Sequence, residues 1–262
     1  MPEDTDSFLS RDIPELLRKI RERTPARIFL GRAGAAYRTA TQLDLREAHA
    51  AARDAVEAEF ELGAAFEAKF VNRWNLFEVS TEARSKQEYL VRPDLGRRLD
   101  EASRQELVKR CPRAADFQIA IGDGLSVTAV SAQVPSLFPL LQEGTRSRGW
   151  TAGQPFAIRH CRVGILNEVG ELLAPRVAVL LIGERPGLAT AESLSAYMAY
   201  QPGAAHTDAN RNLISNIHAR GLSAEAAATR ILNLAAQMMA LRFSGFRIRE
   251  QSPADPSKAA LP

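Results

Sequence analysis

Two stretches of the chain place a carboxylate between glycines directly after an apolar run. IAIGDGLS, Ile119 to Ser126, and LLIGERPGLATAESLS, Leu180 to Ser195, each run through a glycine, a carboxylate, a glycine, a leucine and later a serine. That order suits the carboxyl end of a buried strand, where glycine lets a backbone approach a ligand closely and a helix start presents free N–H groups. Asp123 and Glu184 are then candidate ligand contacts, with Glu184 held on a stiff turn by Pro186 and Gly187. The plainer readings are a turn residue for Asp123 and a salt-bridged or helix-start carboxylate for Glu184.

No self-contained catalytic set accompanies them. After Gly122 and Gly124 the third glycine of a GxGxxG fingerprint is replaced by Val127, and neither GxxxxGK[ST] nor GxSxG occurs. The four histidines, His49, His160, His206 and His218, lie on separate segments without metal-ligand spacing, so no metal residue is assigned. NIHARG, Asn216 to Gly221, has the spacing of the DxHxxG motif that offers a histidine to cobalt. Asn216 stands where the orienting aspartate would be, which leaves His218 as a ligand or as a histidine bonded into a turn. SNIH reads as a polar loop, Tyr197, Met198 and Tyr200 as packing, and Cys161 as a small buried residue.

The elements that would hold these residues alternate in type. DFQIAIG, PFAIRHCRVGIL and RVAVLLIGE read as strands, SVTAVSAQVPSLFPLLQEG as a helix, and LSAEAAATRILNLAAQMMALRFSG as a long helix capped by Ser223 and ending at Ser244–Gly245. Such alternation predicts an α/β fold, a Rossmann-like, mostly parallel sheet domain over residues 99–250. Residues 1–98 read as a smaller, mainly helical region. It has helices near Ile13–Ile20 and Ala40–Phe60, an irregular glycine-interrupted link between them, and a hairpin within 76–91. The Pro/Ser/Ala-rich tail, 251–262, reads as disordered.

Bulk composition narrows the partners. The 262 residues carry 34 Lys and Arg against 31 Asp and Glu, spread along the chain, so no basic stripe suited to nucleic acid stands out. Cys111 and Cys161 form no framework, the acidic start lacks a signal-peptide core, and no apolar run reaches membrane-helix length. A soluble cytosolic protein is expected.

Several segments together resemble the small subunit of adenosylcobalamin-dependent ethanolamine ammonia-lyase. They include TPARIFLGRAG, HAAARDAV, YLVRPDLGRRL, IAIGDGLS, RHCRVGILNEVGEL, LLIGERPGLATAESLSAYMAY and RNLISNIHARG, and they span about Arg18 to Gly245. The resemblance implies a lyase subunit that is inactive alone. A large barrel-shaped subunit would hold ethanolamine, and the corrinoid would lie between the two. The complex would use cobalt–carbon homolysis to make a radical that takes hydrogen from ethanolamine, giving acetaldehyde and ammonia. It also implies cofactor contacts at Val163, at Glu184 and at Leu213, the last where some relatives carry cysteine. No catalytic residue falls on this chain. Relatives in bacterial microcompartments carry an N-terminal extension, whereas about a dozen residues precede Ile13 here, so a cytoplasmic location is expected with the microcompartment as the family's other setting. The rival reading is a stand-alone Rossmann-like nucleotide- or cobalamin-binding module.

Overall fold

The computed structural model describes residues 15–248, apart from 25, 26 and 29. Its centre is a six-stranded sheet built on two continuously apolar strands. β4 (Phe117–Gly122) and β6 (Val177–Gly183) are buried at every position, the pattern of strands covered on both faces. They pair in parallel along their whole length, and β5 (Phe156–Arg159) and β3 (Glu78–Ser80) continue the parallel half. β7 (Leu194–Tyr200) and β8 (Asn212–Ile217) add antiparallel strands on the other side, in the order β3-β5-β4-β6-β7-β8. The edge strand β3 therefore reaches the sheet from residues 78–80, while the other five come from 117–217.

Alternation along the strands divides the core in two. Ile119, Ile121, Val179 and Leu181 face α7 (Val127–Ser147) and α9 (Ala224–Leu241), meeting Phe138, Leu141, Ile231 and Met238. Ala120, Leu180 and Ile182 face α6 (Glu101–Arg110) and α8 (Ile165–Leu173), meeting Leu107, Ile165 and Val169. The result is a mixed α/β layer structure with a mostly parallel sheet. Ser223 caps α9 as the sequence predicts, accepting from the Ala226 N–H at 3.3 Å. The helix ends earlier than expected, at Leu241, where Arg242 takes the left-handed conformation at φ 58°.

Four other expectations are corrected. There is no hairpin within 76–91. β3 pairs in parallel with β5, and α5 (Lys86–Val91) follows, with Ser85 accepting from the Glu88 N–H at 3.2 Å. Ser85 and Glu88 are a helix-start pair that the apolar residues around them obscured. PFAIRHCRVGIL is a strand only to Arg159, because His160 at φ 54° turns the chain and Ile165 begins α8. Ser215 and Asn216 belong to a strand rather than to a loop, since β8 pairs with β7. The glycine-interrupted link carries a small antiparallel ribbon, β1 (Arg32–Ala33) with β2 (Ala36–Tyr37), closed through Gly34 at φ 63°.

Ahead of β3 lie α1 (Glu15–Arg23), α2 (Thr39–Glu57), α3 (Leu62–Ala65) and α4 (Ala68–Trp74). The start of the predicted first helix, Ile13, and the tail 251–262 lie outside the described residues. Among the described residues no helix is long and apolar enough to cross a membrane.

Candidate functional site

Parallel pairing brings the two rhyming segments together, since Gly122 stands opposite Ile182 across β4 and β6. Their loops then interlock backbone to backbone. The Leu125 N–H donates to the Gly183 carbonyl at 3.1 Å. A Cβ on Gly183 would strike the Ser126 carbonyl and stand 2.7 Å from that of Asp123, while one on Gly124, at φ 58°, would strike the Gly183 carbonyl. Gly183→Ala should therefore lower stability by about 1–3 kcal/mol, the usual cost of overpacking a close-packed contact. Urea unfolding of the full chain measures it, and an unchanged midpoint would show that the loops part without cost.

Asp123 is fully buried and joins the loops after β4 and β5. Its carboxylate accepts from the backbone N–H groups of His160 at 3.0 Å and Cys161 at 2.7 Å, and it lies 3.6 Å from the buried Lys86 ammonium. Burial pushes its pKa up, opposed by Lys86 and the two N–H groups. Lys86 also reaches the Gly124 carbonyl at 3.4 Å, and the Tyr89 hydroxyl stands 2.8 Å from the Cys161 carbonyl and 3.0 Å from that of Gly124. One helix, α5, thus ties down both turns. Burial pushes the Cys161 thiol well above its ordinary pKa, with Asp123 adding to it, so this cysteine is no nucleophile.

Glu184 directly follows β6 and pairs with no cation among the described residues. Its Oε2 accepts from Ser193 Oγ at 2.8 Å, and its Oε1 from Ser195 Oγ at 2.5 Å and from the Asn216 N–H at 3.0 Å. The carboxylate therefore joins β6, β7 and β8, and Oε2 keeps a free lone pair. Neither plainer reading of Glu184 holds.

Val163 sits half-buried in the turn before α8, and Leu213, 47% exposed, lies opposite Tyr197 in the β7–β8 register. Val163, Glu184 and Leu213 line one cavity of about 390 Å³ at the carboxyl end of the parallel strands, with Leu125, Ile182 and Tyr197 among its walls. The three positions singled out from three separate segments are thus brought together. Tyr197, read from sequence as packing, is both packing and wall. His218 lies apart in a turn, its Nε2 at 2.8 Å from Asn216 Oδ1 and its Nδ1 accepting from the Arg220 N–H at 3.3 Å. Both ring nitrogens are engaged, as the turn reading requires. Among the described residues no His, Cys, Asp and Glu side chains gather as a metal site.

Sequence reasoning missed Lys86 and Tyr89, which had been placed in the supposed hairpin, and also Ser193 and Ser195. A signal existed for the serines. Ser193 and Ser195 alternate with buried Leu194 and Ala196, so both face the same side as Tyr197.

Comparison with known proteins identifies the family. The family model described as ethanolamine ammonia-lyase light chain (EutC) matches residues 14–249. The ethanolamine ammonia-lyase small subunit of Rhodopseudomonas palustris is 41% identical over 245 residues, covering 93% of this chain and 94% of its own. That of Clostridium acetobutylicum is 38% identical over 235 residues, covering 90% and 95%. That of Fusobacterium nucleatum is 41% identical over 227 residues, covering 87% and 75%. With the match running through both interlocked loops and the strands that carry them, the chain belongs to the ethanolamine ammonia-lyase small-subunit family, a lyase subunit whose name implies a large partner.

Proposed function

We propose that the cavity beyond β4, β5 and β6 is this chain's share of an adenosylcobalamin pocket, completed by a large subunit that binds ethanolamine. The observation that carries the reading is the convergence of Val163, Glu184 and Leu213 on one cavity. Their chemistry fits the group. A corrin is a broad apolar plate fringed with amides, so it needs apolar wall and a few placed acceptors. Val163 and Leu213 supply wall, and Glu184 Oε2 has capacity for one amide N–H. At about 390 Å³ the cavity is too small for the whole macrocycle, which agrees with a site shared between two chains.

When bound, the cofactor supplies the homolysis of its cobalt–carbon bond, the source of the radical that acts on ethanolamine. The residues of this chain bind and orient. Glu184 fixes the β6–β7–β8 edge while offering its acceptor, Lys86 and Asp123 hold the turn that carries Val163, and Leu213 keeps water from the wall. The test is acetaldehyde release from ethanolamine and adenosylcobalamin by the cognate large subunit, with and without this chain. Activity only with both supports the reading, and an inactive but folded pair would overturn it.

A further inference from the structure

Beside the candidate pocket lies a second cleft, of about 760 Å³, that the pocket's own residues do not use. Val163 lines the first and the next residue, Gly164, lines the second. Two arginines in this cleft are incompletely neutralised. Arg97, at the end of the short helical turn Leu95–Arg97, lays its stem on Gly164, where a Cβ would meet its Cγ and Cδ at 3.0 Å. It is exposed, and its side chain makes no hydrogen bond or ion pair among the described residues; Asp94, close enough to feel its charge, is already held by Arg92. Arg211 is the opposite case, with only 4% of its side chain exposed. One Nη pairs with Asp208, the other donates to Asn167 Oδ1 at 2.7 Å, and the buried Nε has no partner among the described residues.

The acids in the cleft are already engaged. Glu168 accepts from the Leu99 N–H and from Arg104, each at 2.6 Å, Glu171 accepts from the Ala204 N–H at 2.9 Å, and Asp208 holds Arg211. Arg97 stands close enough to press its charge on Arg211, so the cleft holds two like charges that an anion would relieve. Guanidinium forks suit the oxygens of a phosphate, and an orphaned buried donor is costly unless a ligand meets it. Continuity with the pocket identifies the anion. Val163 lines the pocket, the adjacent Gly164 lines the cleft, and the Arg97 stem lies on Gly164, so a ligand against Val163 has a side arm's reach to the cleft. The fixed anionic group of a cobalamin is the phosphodiester of its nucleotide arm.

We propose that Arg97 and Arg211 form a phosphate subsite that receives this phosphodiester; the assignment rests on the cobalamin reading of the neighbouring pocket. The test compares cobinamide, which lacks the nucleotide arm and its phosphate, with cobinamide phosphate, which keeps the phosphate. Binding to the assembled complex is followed by equilibrium dialysis. The wild-type complex should favour cobinamide phosphate by about tenfold, the size of one charge-assisted contact. Arg97→Gln should remove most of that preference without changing cobinamide affinity, and Arg97→Lys, which keeps the charge but loses the fork, should retain part of it. Equal losses for both ligands, or a preference untouched by Arg97→Gln, would overturn the subsite. So would binding of inorganic phosphate at Arg97 with no gain for cobinamide phosphate, which would give the cleft to a free anion. If neither corrinoid bound the wild-type complex, the reading of the pocket itself would fall, and the subsite with it.

Discussion

Lys86→Met is expected to cost about 3–5 kcal/mol of stability, because it leaves a fully buried carboxylate without its counter-charge. The pair is enclosed, so water cannot compensate. Asp123 keeps its two N–H donors, from His160 and Cys161, which stops the loss from growing further. The direction with pH follows from the same geometry. Burial already pushes the Asp123 pKa up, and without Lys86 it rises further above the unfolded value of about 4. A carboxyl group raised in this way contributes stability below its unfolded pKa and loses it as pH rises through the folded one. The gap between variant and wild type should thus be small in acid and widen towards neutral pH. Urea unfolding of the full chain at about pH 5 and about pH 8 measures it. A gap that narrowed with rising pH would show that Asp123 is not the group left uncompensated. Since α5 also anchors Gly124 and Cys161, the same variant should loosen both turns that frame the cavity.

That pair also shows where sequence reading stops. The strands β4 and β6 were legible because buried parallel strands are apolar at every position, and FQIAIG and VAVLLIG are. Their glycine–carboxylate endings were legible as strand ends because similar local chemistry recurs where similar loops leave a sheet, and the pairing of β4 with β6 makes them neighbours. Lys86 and Asp123 gave no such sign. They lie 37 residues apart, and their partnership exists only through the pairing of β3 with β5, a strand of three residues of which two are polar. β7 and β8 were hidden for a related reason. Their register is set by pairing, β7 to β6 and β8 to β7, and the face they turn to the cavity carries Ser195, Tyr197, Leu213 and Ser215, a mixture without a clean period. Glu184 was legible from its glycine-flanked strand end, whereas Val163 and Leu213 were named through family resemblance rather than through pattern. Leu213 in particular, exposed on a polar strand, carries no local signal of a site.

Glu184 performs two roles that substitution can separate, holding three strands together and offering an acceptor to a ligand. Glu184→Gln preserves the first. Its amide oxygen can keep the bonds from Ser195 Oγ and the Asn216 N–H, while its NH₂ faces Ser193 Oγ, a hydroxyl that can turn from donor to acceptor. The ligand side then meets a donor where it had a carboxylate acceptor. Losing one charge-assisted bond of about 1.5–3 kcal/mol should weaken cobalamin binding to the assembled complex by roughly 10- to 150-fold, with assembly intact. Glu184→Ala removes both roles. It leaves the Asn216 N–H without its acceptor, and should cost about 1–3 kcal/mol of stability in addition to the affinity. Cobalamin titration and urea unfolding, read together, distinguish the roles. Gln weak in binding but stable, and Ala weak in both, is the pattern expected of a residue that touches ligand. Wild-type affinity in the Gln variant with instability only in Ala would leave Glu184 as a clamp on the β6–β7–β8 edge, and the acceptor for the amide fringe would then have to come from the large subunit.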